Sequence, residues 1–541
     1  DLLGNEETSL VTGGKGDCAL YAGKVNRQFM LIPYDLDAVL GIEGGAQSPL
    51  WSAAANPVLG RLMSHPAVAA RYWFHLANLA QTVFSAEQLE PVIDRLVGDY
   101  LPRSEIDRLK SFAAKRCEFV LSQIPRELTV TTGLAKRDGF FTSHSPQLEL
   151  SGQAPATRTV AVKVNGHAAD WVAPEARWQA KVALRRGLNR LLVHALDASG
   201  NVVARQDADV WHGAAPSRSL GQRLSQSTRW TAAQPLLVGK PLVVPAGVTL
   251  TVDPGATICF RPDGRLLVEG RLLAEGQAQR RIQFLRAPGS TGAWGGIGFS
   301  NSAYGNRLAY VDFHHTSSYA LAVTNSVVTL DHVQWHGTRT NLIWFQNASL
   351  KVRDCVFPNL SHSEHVRGIG IRAGGELVFA RNRFGGTTGY NDILDVSGGK
   401  RPGPILQLYG NEFLGGSDDG LDLDGMDAHI EGNTFHGFHK RNTTLSISAA
   451  VATGRHGEQA SDLTMVRNIF YDNDHHVLIK QGGRLEAANN TFYGGALGAI
   501  AFDEPLRELE MPHGARLTGN IFSGNKADLI HLKPLWLEQN W

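Results

Sequence analysis

Between Leu394 and Asp427 the chain gathers six aspartates: Asp395, Asp418, Asp419, Asp422, Asp424 and Asp427. Lys480 and Arg372 occur in segments of the same alternating pattern. Carboxylates held close together repel unless a cation, a basic side chain or a shared proton relieves them. Three chemistries follow. Asp418 and Asp422 could hold Ca²⁺, which takes several oxygen ligands. Asp395, Asp419, Asp422 and Asp424 could supply the acid and base of glycoside hydrolysis. With Lys480 they could instead combine a metal and a base for β-elimination from a uronide. The competing reading is that outward strand positions are polar simply because they face water.

A repeat must position these groups. An apolar-alternating run, then Asn-x-Phe, then a Gly-rich turn recurs at Asn382-Arg383-Phe384, Asn411-Glu412-Phe413, Asn433-Thr434-Phe435, Asn468-Ile469-Phe470, Asn490-Thr491-Phe492 and Asn520-Ile521-Phe522. Phe313, Trp335 and Phe357 head degenerate copies. Successive aromatic positions from 313 to 522 differ by 22, 22, 27, 29, 22, 35, 22 and 30. Such a period with insertions predicts a solenoid, because each copy is too short to hold a core alone. Leu350-Lys351-Val352-Arg353 and Leu463-Thr464-Met465-Val466 alternate with period two, which predicts strands. The expected fold class is mainly β, with a parallel β-helix over 231–541. Its Phe column stacks inside, and its Asn column forms a hydrogen-bonded ladder at about 4.8 Å per coil.

Some 20 residues ahead of each aromatic lies a second strand column. Its members include Ile343-Trp344-Phe345-Gln346, Ile369-Gly370-Ile371-Arg372, Leu394-Asp395-Val396-Ser397, Leu421-Asp422-Leu423-Asp424, Leu445-Ser446-Ile447-Ser448 and Leu478-Ile479-Lys480. First and third residues should point inward. One outer column then runs Arg372, Ser397, Asp424, Ser448, Lys480 and Asp503. Beside it, Asp395 and Asp422 sit on adjacent coils. His314-His315 and His475-His476 read as loop residues, since no partner spacing supports a metal.

Across the chain, 52 Lys and Arg nearly balance 51 Asp and Glu, so no bulk field favours nucleic acid or an anionic membrane. Cys18, Cys117, Cys259 and Cys355 lie far apart, which fits neither a metal spacing nor a disulfide framework. No segment is apolar enough to span a bilayer. The chain opens inside what reads as an ongoing domain, and is expected to be a piece of a longer protein. Residues 128–212, with a hairpin signal at Asn165-Gly166, predict an immunoglobulin-like β-sandwich, and 213–230 a linker. Trp171 and Trp178 are expected to pack there. Before them, helices are predicted from Asn56 to Phe84, from a capping box at Ser85-x-x-Gln88, and from Ser104 to Ile124.

Gly16-Asp17-Cys18-Ala19-Leu20-Tyr21 followed by Ile32-Pro33-Tyr34-Asp35-Leu36-Asp37 resembles the C-terminal part of the spore-coat CotH kinase family. The resemblance covers roughly residues 1–125, within a domain expected over 1–127. It implies a partial α/β kinase-like region rich in helices that binds Mg²⁺ and ATP through Asp17, Asp35 and Asp37, given a nucleotide-binding half preceding Asp1. It also implies a protein substrate and a secreted or cell-surface location. Asn5-Glu6-Glu7 departs from the family, which places a catalytic Asp at a shorter spacing. Val244-Pro245-Ala246-Gly247 and Pro254-Gly255 resemble the opening coils of right-handed, pectate-lyase-like β-helices. The Gly-His-Gly and Arg-x-Lys set of polygalacturonases is not matched. The expected function is a secreted or cell-surface CotH-kinase-family protein whose β-helix binds polysaccharide or a cell-envelope partner. The alternatives are a polysaccharide lyase or hydrolase on the acidic face, and a non-catalytic, adhesin-like solenoid.

Overall fold

A computed structural model describes residues 2–3, 18–24, 29–33, 39–42, 44–137, 140–317, 319–440, 448–503 and 514–532. The chain divides into two compact units, Asp1–Gly213 and Ala214–Trp541.

The second unit is a right-handed parallel β-helix of about eleven turns. Alternation puts one set of side chains from every strand inside, and the coils stack them in files. The aromatic file runs through a 12-stranded parallel sheet from Leu236–Val238 to Ile521–Ser523. Phe384, Phe413, Phe435 and Phe470 are fully buried and stack with nearly parallel rings, at centroid separations of 4.8, 4.5 and 4.9 Å. Burying each such ring is worth about 2–3 kcal/mol, and the even spacing lets neighbouring coils share it.

The asparagines form the expected ladder. Asn382 Nδ2 donates to Asn411 Oδ1 at 2.9 Å, and Asn411 to Asn433 at 2.8 Å. The same link joins Asn433 to Asn468, Asn468 to Asn490 and Asn490 to Asn520. Each Oδ1 also accepts the backbone N–H of the preceding Asn, as Asn433 does from Asn411 at 2.8 Å. The column therefore satisfies buried corner amides that the sheets cannot reach. Cys355 heads the file, its N–H donating to Asn382 Oδ1 at 3.0 Å.

In the first unit, Asn56 caps the helix Pro57–Met63 by accepting from Val58 N at 3.0 Å. Ser64, His65 and Pro66 end it, and a new helix runs Pro66–Gln81. The Ser85 capping box does not form: Ser85 Oγ donates to Thr82 O at 2.7 Å instead, although the helix Ala86–Val97 starts there. A third long helix spans Arg103–Gln123. Beyond it, a six-stranded and a three-stranded sheet pack around Leu150, Val162, Trp178, Leu191 and Val193 as a small β-sandwich. Trp178 is buried in that core and Trp171 packs at its edge. Asn165 and Gly166 take positive φ (50° and 83°) in the tight turn joining Ala161–Val164 to His167–Ala168.

Cys18–Ala22 pairs antiparallel with Phe29–Pro33. Asp17, Asp35, Asp37 and Asn5-Glu6-Glu7 lie outside the described residues, as do Leu445, Ser446 and Ile447. Among the described residues, no helix is long and apolar enough to cross a membrane.

Candidate functional site

Five consecutive strands of one sheet of the β-helix carry the acidic cluster: β1 (Val366–Ile371), β2 (Leu394–Gly399), β3 (Leu421–Met426), β4 (Ala449–His456) and β5 (His475–Ile479). Leu394, Val396, Leu421 and Leu423 are fully buried inside, which turns Asp395, Ser397, Asp422 and Asp424 outward. Register aligns Arg367, Asp395, Asp422, Ala452 and Leu478 in one outer file. It aligns Ile369, Ser397, Asp424 and Gly454 in the next, with Lys480 two residues beyond Leu478 at its end.

Two members of the expected column are displaced. Arg372 lies three residues past Ile369, the partner of Ser397, so it stands level with Lys400 and not with Ser397. The inward partner of Val396 on β1 is Gly368, whose missing side chain is replaced by the Phe345 ring; a Cβ there would lie 2.3 Å from Phe345 Cδ1. A glycine in an inward position hides the alternation, and the eye slides to Ile369 and Ile371. Ser448 is likewise not in the file: it is buried ahead of β4, with Oγ donating to the Asp418 carbonyl at 3.0 Å. Gly454 takes its place. A Cβ on Gly454 would fall 1.5 Å from Asp424 Oδ1, so the bare glycine is what lets that carboxylate lie over the next coil. Asp503 follows Lys480 on the next coil, its N–H donating to Ile479 O at 2.9 Å.

A third row was not anticipated. Glu364, Asp392 and Asp419 each stand two residues before a position paired in register: Val366, Leu394 and Leu421. Asn341 Nδ2 donates to Glu364 Oε2 at 3.3 Å. Asp392 Oδ1 accepts the Asp419 N–H at 2.9 Å, and Asp419 Oδ1 accepts the Ala449 N–H at 2.8 Å. Each aspartate thus spends one oxygen capping the coil above. The signal was present as Asp-x-x-Asp twice, Asp392/Asp395 and Asp419/Asp422, 27 residues apart (419 minus 392).

Ligand atoms of Asp392, Asp418 and Asp419 lie within 4.8 Å of one another, as do those of Glu364, Asp392 and Asp395. Asp392 belongs to both groups. Asp418 therefore gathers with Asp392 and Asp419, while the Asp422 expected beside it as a ligand pairs elsewhere. Lys480 Nζ lies 3.3 Å from Asp422 Oδ1, and Arg367 Nε 3.2 Å from Asp395 Oδ2.

Burial, followed by the neighbouring carboxylates, pushes the Asp392 carboxyl well above the ordinary range. Burial does the same to Asp419, against the pull of Lys480. Glu364 is raised to about 7 by burial and by Asp395. Asp395 and Asp424 rise more modestly, again through burial. Burial would lower Lys480, but Asp422, Asp419 and Asp424 outweigh it and raise its pKa. The row of carboxyls is thus biased towards the protonated form, beside a fixed ion pair.

Asp427 is not part of this cluster. It is fully buried, 3.2 Å from Lys400 Nζ, and accepts the Arg401 and Asp462 N–H groups at 2.9 and 3.0 Å. The loop expectation holds for His315, which takes positive φ (56°) just past its strand, and is corrected for the other three histidines. His314 ends the strand Val311–His314, while His475 and His476 open β5, and all three are buried because those strands are covered on both faces.

Among solved structures, one similar to this chain is the family 28 exopolygalacturonase of Yersinia enterocolitica, at a TM-score of 0.25 and 11% identity, covering 76% of this chain and all of that one. At that TM-score the likeness carries no argument about the site. No family model matches the chain, and no curated protein does.

Proposed function

We propose that the acidic face of the β-helix hydrolyses a glycosidic bond in an extended polysaccharide. The observation that carries this is the Asp392–Asp419 pair, a half-buried and a buried carboxyl on adjacent coils held towards protonation, next to the Asp422–Lys480 ion pair. Glycoside hydrolysis needs one carboxyl that keeps its proton at working pH and one carboxylate that has lost it. Asp392 and Asp419, both raised by burial, supply the acid that protonates the leaving oxygen. Asp422, fixed by Lys480, is the carboxylate that activates water or meets the developing positive charge. Asp395, paired with Arg367, and Asp424 flank it on the outer face. A parallel sheet repeating every ~4.8 Å offers a regular track for an extended chain.

Elimination fits less well. A lyase base must accept a proton, and an ammonium whose pKa is raised by three aspartates is a poor acceptor. Asp392, Asp418 and Asp419 also offer the oxygen donors a Ca²⁺ ion takes, and such an ion would displace the protons that Asp392 and Asp419 favour without it. The reading of residues 1–127 as a kinase-like part using Mg²⁺ and ATP, within a secreted or cell-surface protein, has its support in the sequence resemblance alone.

The test is product analysis. The full chain is incubated with a panel of neutral and uronic-acid polysaccharides, beside Asp422→Ala. New reducing ends without accompanying unsaturated non-reducing ends from the wild type, falling about 10²–10⁴-fold in the variant, are expected. Unsaturated products, or equal release by the variant, would sink the hydrolase reading.

A further inference from the structure

We propose that Trp344 and Tyr319 form a sugar-stacking subsite at one end of the acidic face, and that the glycan held there is uncharged. The inference rests on the hydrolase reading of that face and names its substrate class. Two strands precede β1 in the same sheet, Leu321–Thr324 and Ile343–Arg353. Their register carries the outer file backwards: Ala322 pairs with Trp344, Trp344 with Arg367, and Arg367 with Asp395. The row of capping carboxyls extends the same way. Tyr319 and Asn341 stand two residues before Leu321 and Ile343, as Glu364 stands before Val366. Over two adjacent coils, both acidic rows therefore give way to an aromatic side chain.

Trp230, Trp294 and Trp335 are buried, but Ile343 and Phe345 take the inward positions of their strand and turn Trp344 outward, where it is half-buried. Its neighbour on one side, Ala322, is small; on the other, Arg367 is drawn away to Asp395 at 3.2 Å and Glu364 at 3.7 Å. The Tyr319 ring lies 6.0 Å from the indole at a tilt of 36°, and the two make a shallow aromatic shelf. An aromatic ring at a wet surface has an apolar face and a polar rim, which matches the C–H face and equatorial hydroxyls of a pyranose. Three strand spacings, ~14 Å, separate Trp344 from Asp422, about the length of three sugar units in an extended chain. A glycan lying along the axis with one ring on the shelf therefore brings a linkage to the acidic pair. The charge of that glycan follows from the basic groups. A uronate needs a cation, but Arg367 is shared by Glu364 and Asp395, and Lys480 is held by Asp422. Asp395 and Asp424 would repel a second carboxylate, whereas they accept hydrogen bonds from the hydroxyls of an uncharged chain.

The test is affinity gel electrophoresis of the full chain, Trp344→Ala and Trp344→Phe in gels carrying soluble mannan, xylan, hydroxyethyl cellulose or polygalacturonate. Circular dichroism on each variant controls for folding; Ala322 and Ala452 occupy the same outer file, so alanine suits that position. Retardation by at least one of the three uncharged polymers, and none by polygalacturonate, is expected. Affinity should fall at least tenfold in Trp344→Ala and less in Trp344→Phe, which keeps a ring. Retardation by polygalacturonate as strong as by any uncharged polymer, no retardation by an uncharged polymer, or equal retardation of Trp344→Ala and the wild type would overturn the subsite. Binding of an uncharged polymer that Trp344→Ala weakens, with no reducing ends released by the wild type, would remove the hydrolase reading and leave the subsite standing. Release that Asp422→Ala abolishes, with binding unchanged in Trp344→Ala, would do the reverse.

Discussion

Glu364 shows how burial writes itself into pH dependence. Its carboxyl moves from an ordinary value of 4.5 to about 7 in the folded chain. The folded state therefore holds a proton that the unfolded chain releases between those values. More protons bound to the native state means that stability falls as pH rises through that window and levels off above it. Asp392 and Asp419, shifted the same way, add to the decline. Glu364→Gln keeps a carbonyl oxygen for Asn341 and removes the penalty. Denaturant unfolding should show a gain on the order of 2 kcal/mol at pH 8 and almost none at pH 4. An equal gain at both would mean that the effect is packing and not charge. A site that is destabilising when ionised, retained on an otherwise well-satisfied scaffold, is what a functional cluster looks like.

At the scale of the element, the ladder and the file differ in how plainly they could be read. Asn-x-Phe was legible because both residues point inward at every coil, and few other types stack or hydrogen-bond so regularly. The acidic file was legible only where the strand kept large inward residues, as with Leu394/Val396 and Leu421/Leu423. It was lost at β1, where Gly368 makes room for Phe345, and at β4, where Ala449 to Ala452 are small and buried on both faces. Glu364 and Asp392 were missed because they precede the strands, outside any alternation. Asn433→Ala tests the ladder. It strands the Asn411 N–H, one of the two Asn411 Nδ2 protons and the Leu408 carbonyl, all buried. A loss of about 2–4 kcal/mol in equilibrium unfolding is expected. A loss under ~1 kcal/mol would show that water replaces the amide and that the column is decorative.

At the scale of the molecule, stacking coils turns residues 27 and 58 apart into neighbours: Asp395 beside Asp422 (422 minus 395), and Lys480 beside Asp422 (480 minus 422). No local motif contains that site; the solenoid assembles it. The near balance of charge over the whole chain hides a strongly acidic patch on one face, so attraction to a substrate must be local. The most direct measurement compares the wild type with Asp419→Asn, each shown to be folded, on a polysaccharide that both bind. Asn preserves an oxygen for the Ala449 N–H but cannot donate a catalytic proton. The account predicts new reducing ends without unsaturated non-reducing ends from the wild type and a loss of 10²-fold or more in the variant, with binding retained. Equal rates from the two proteins would contradict it.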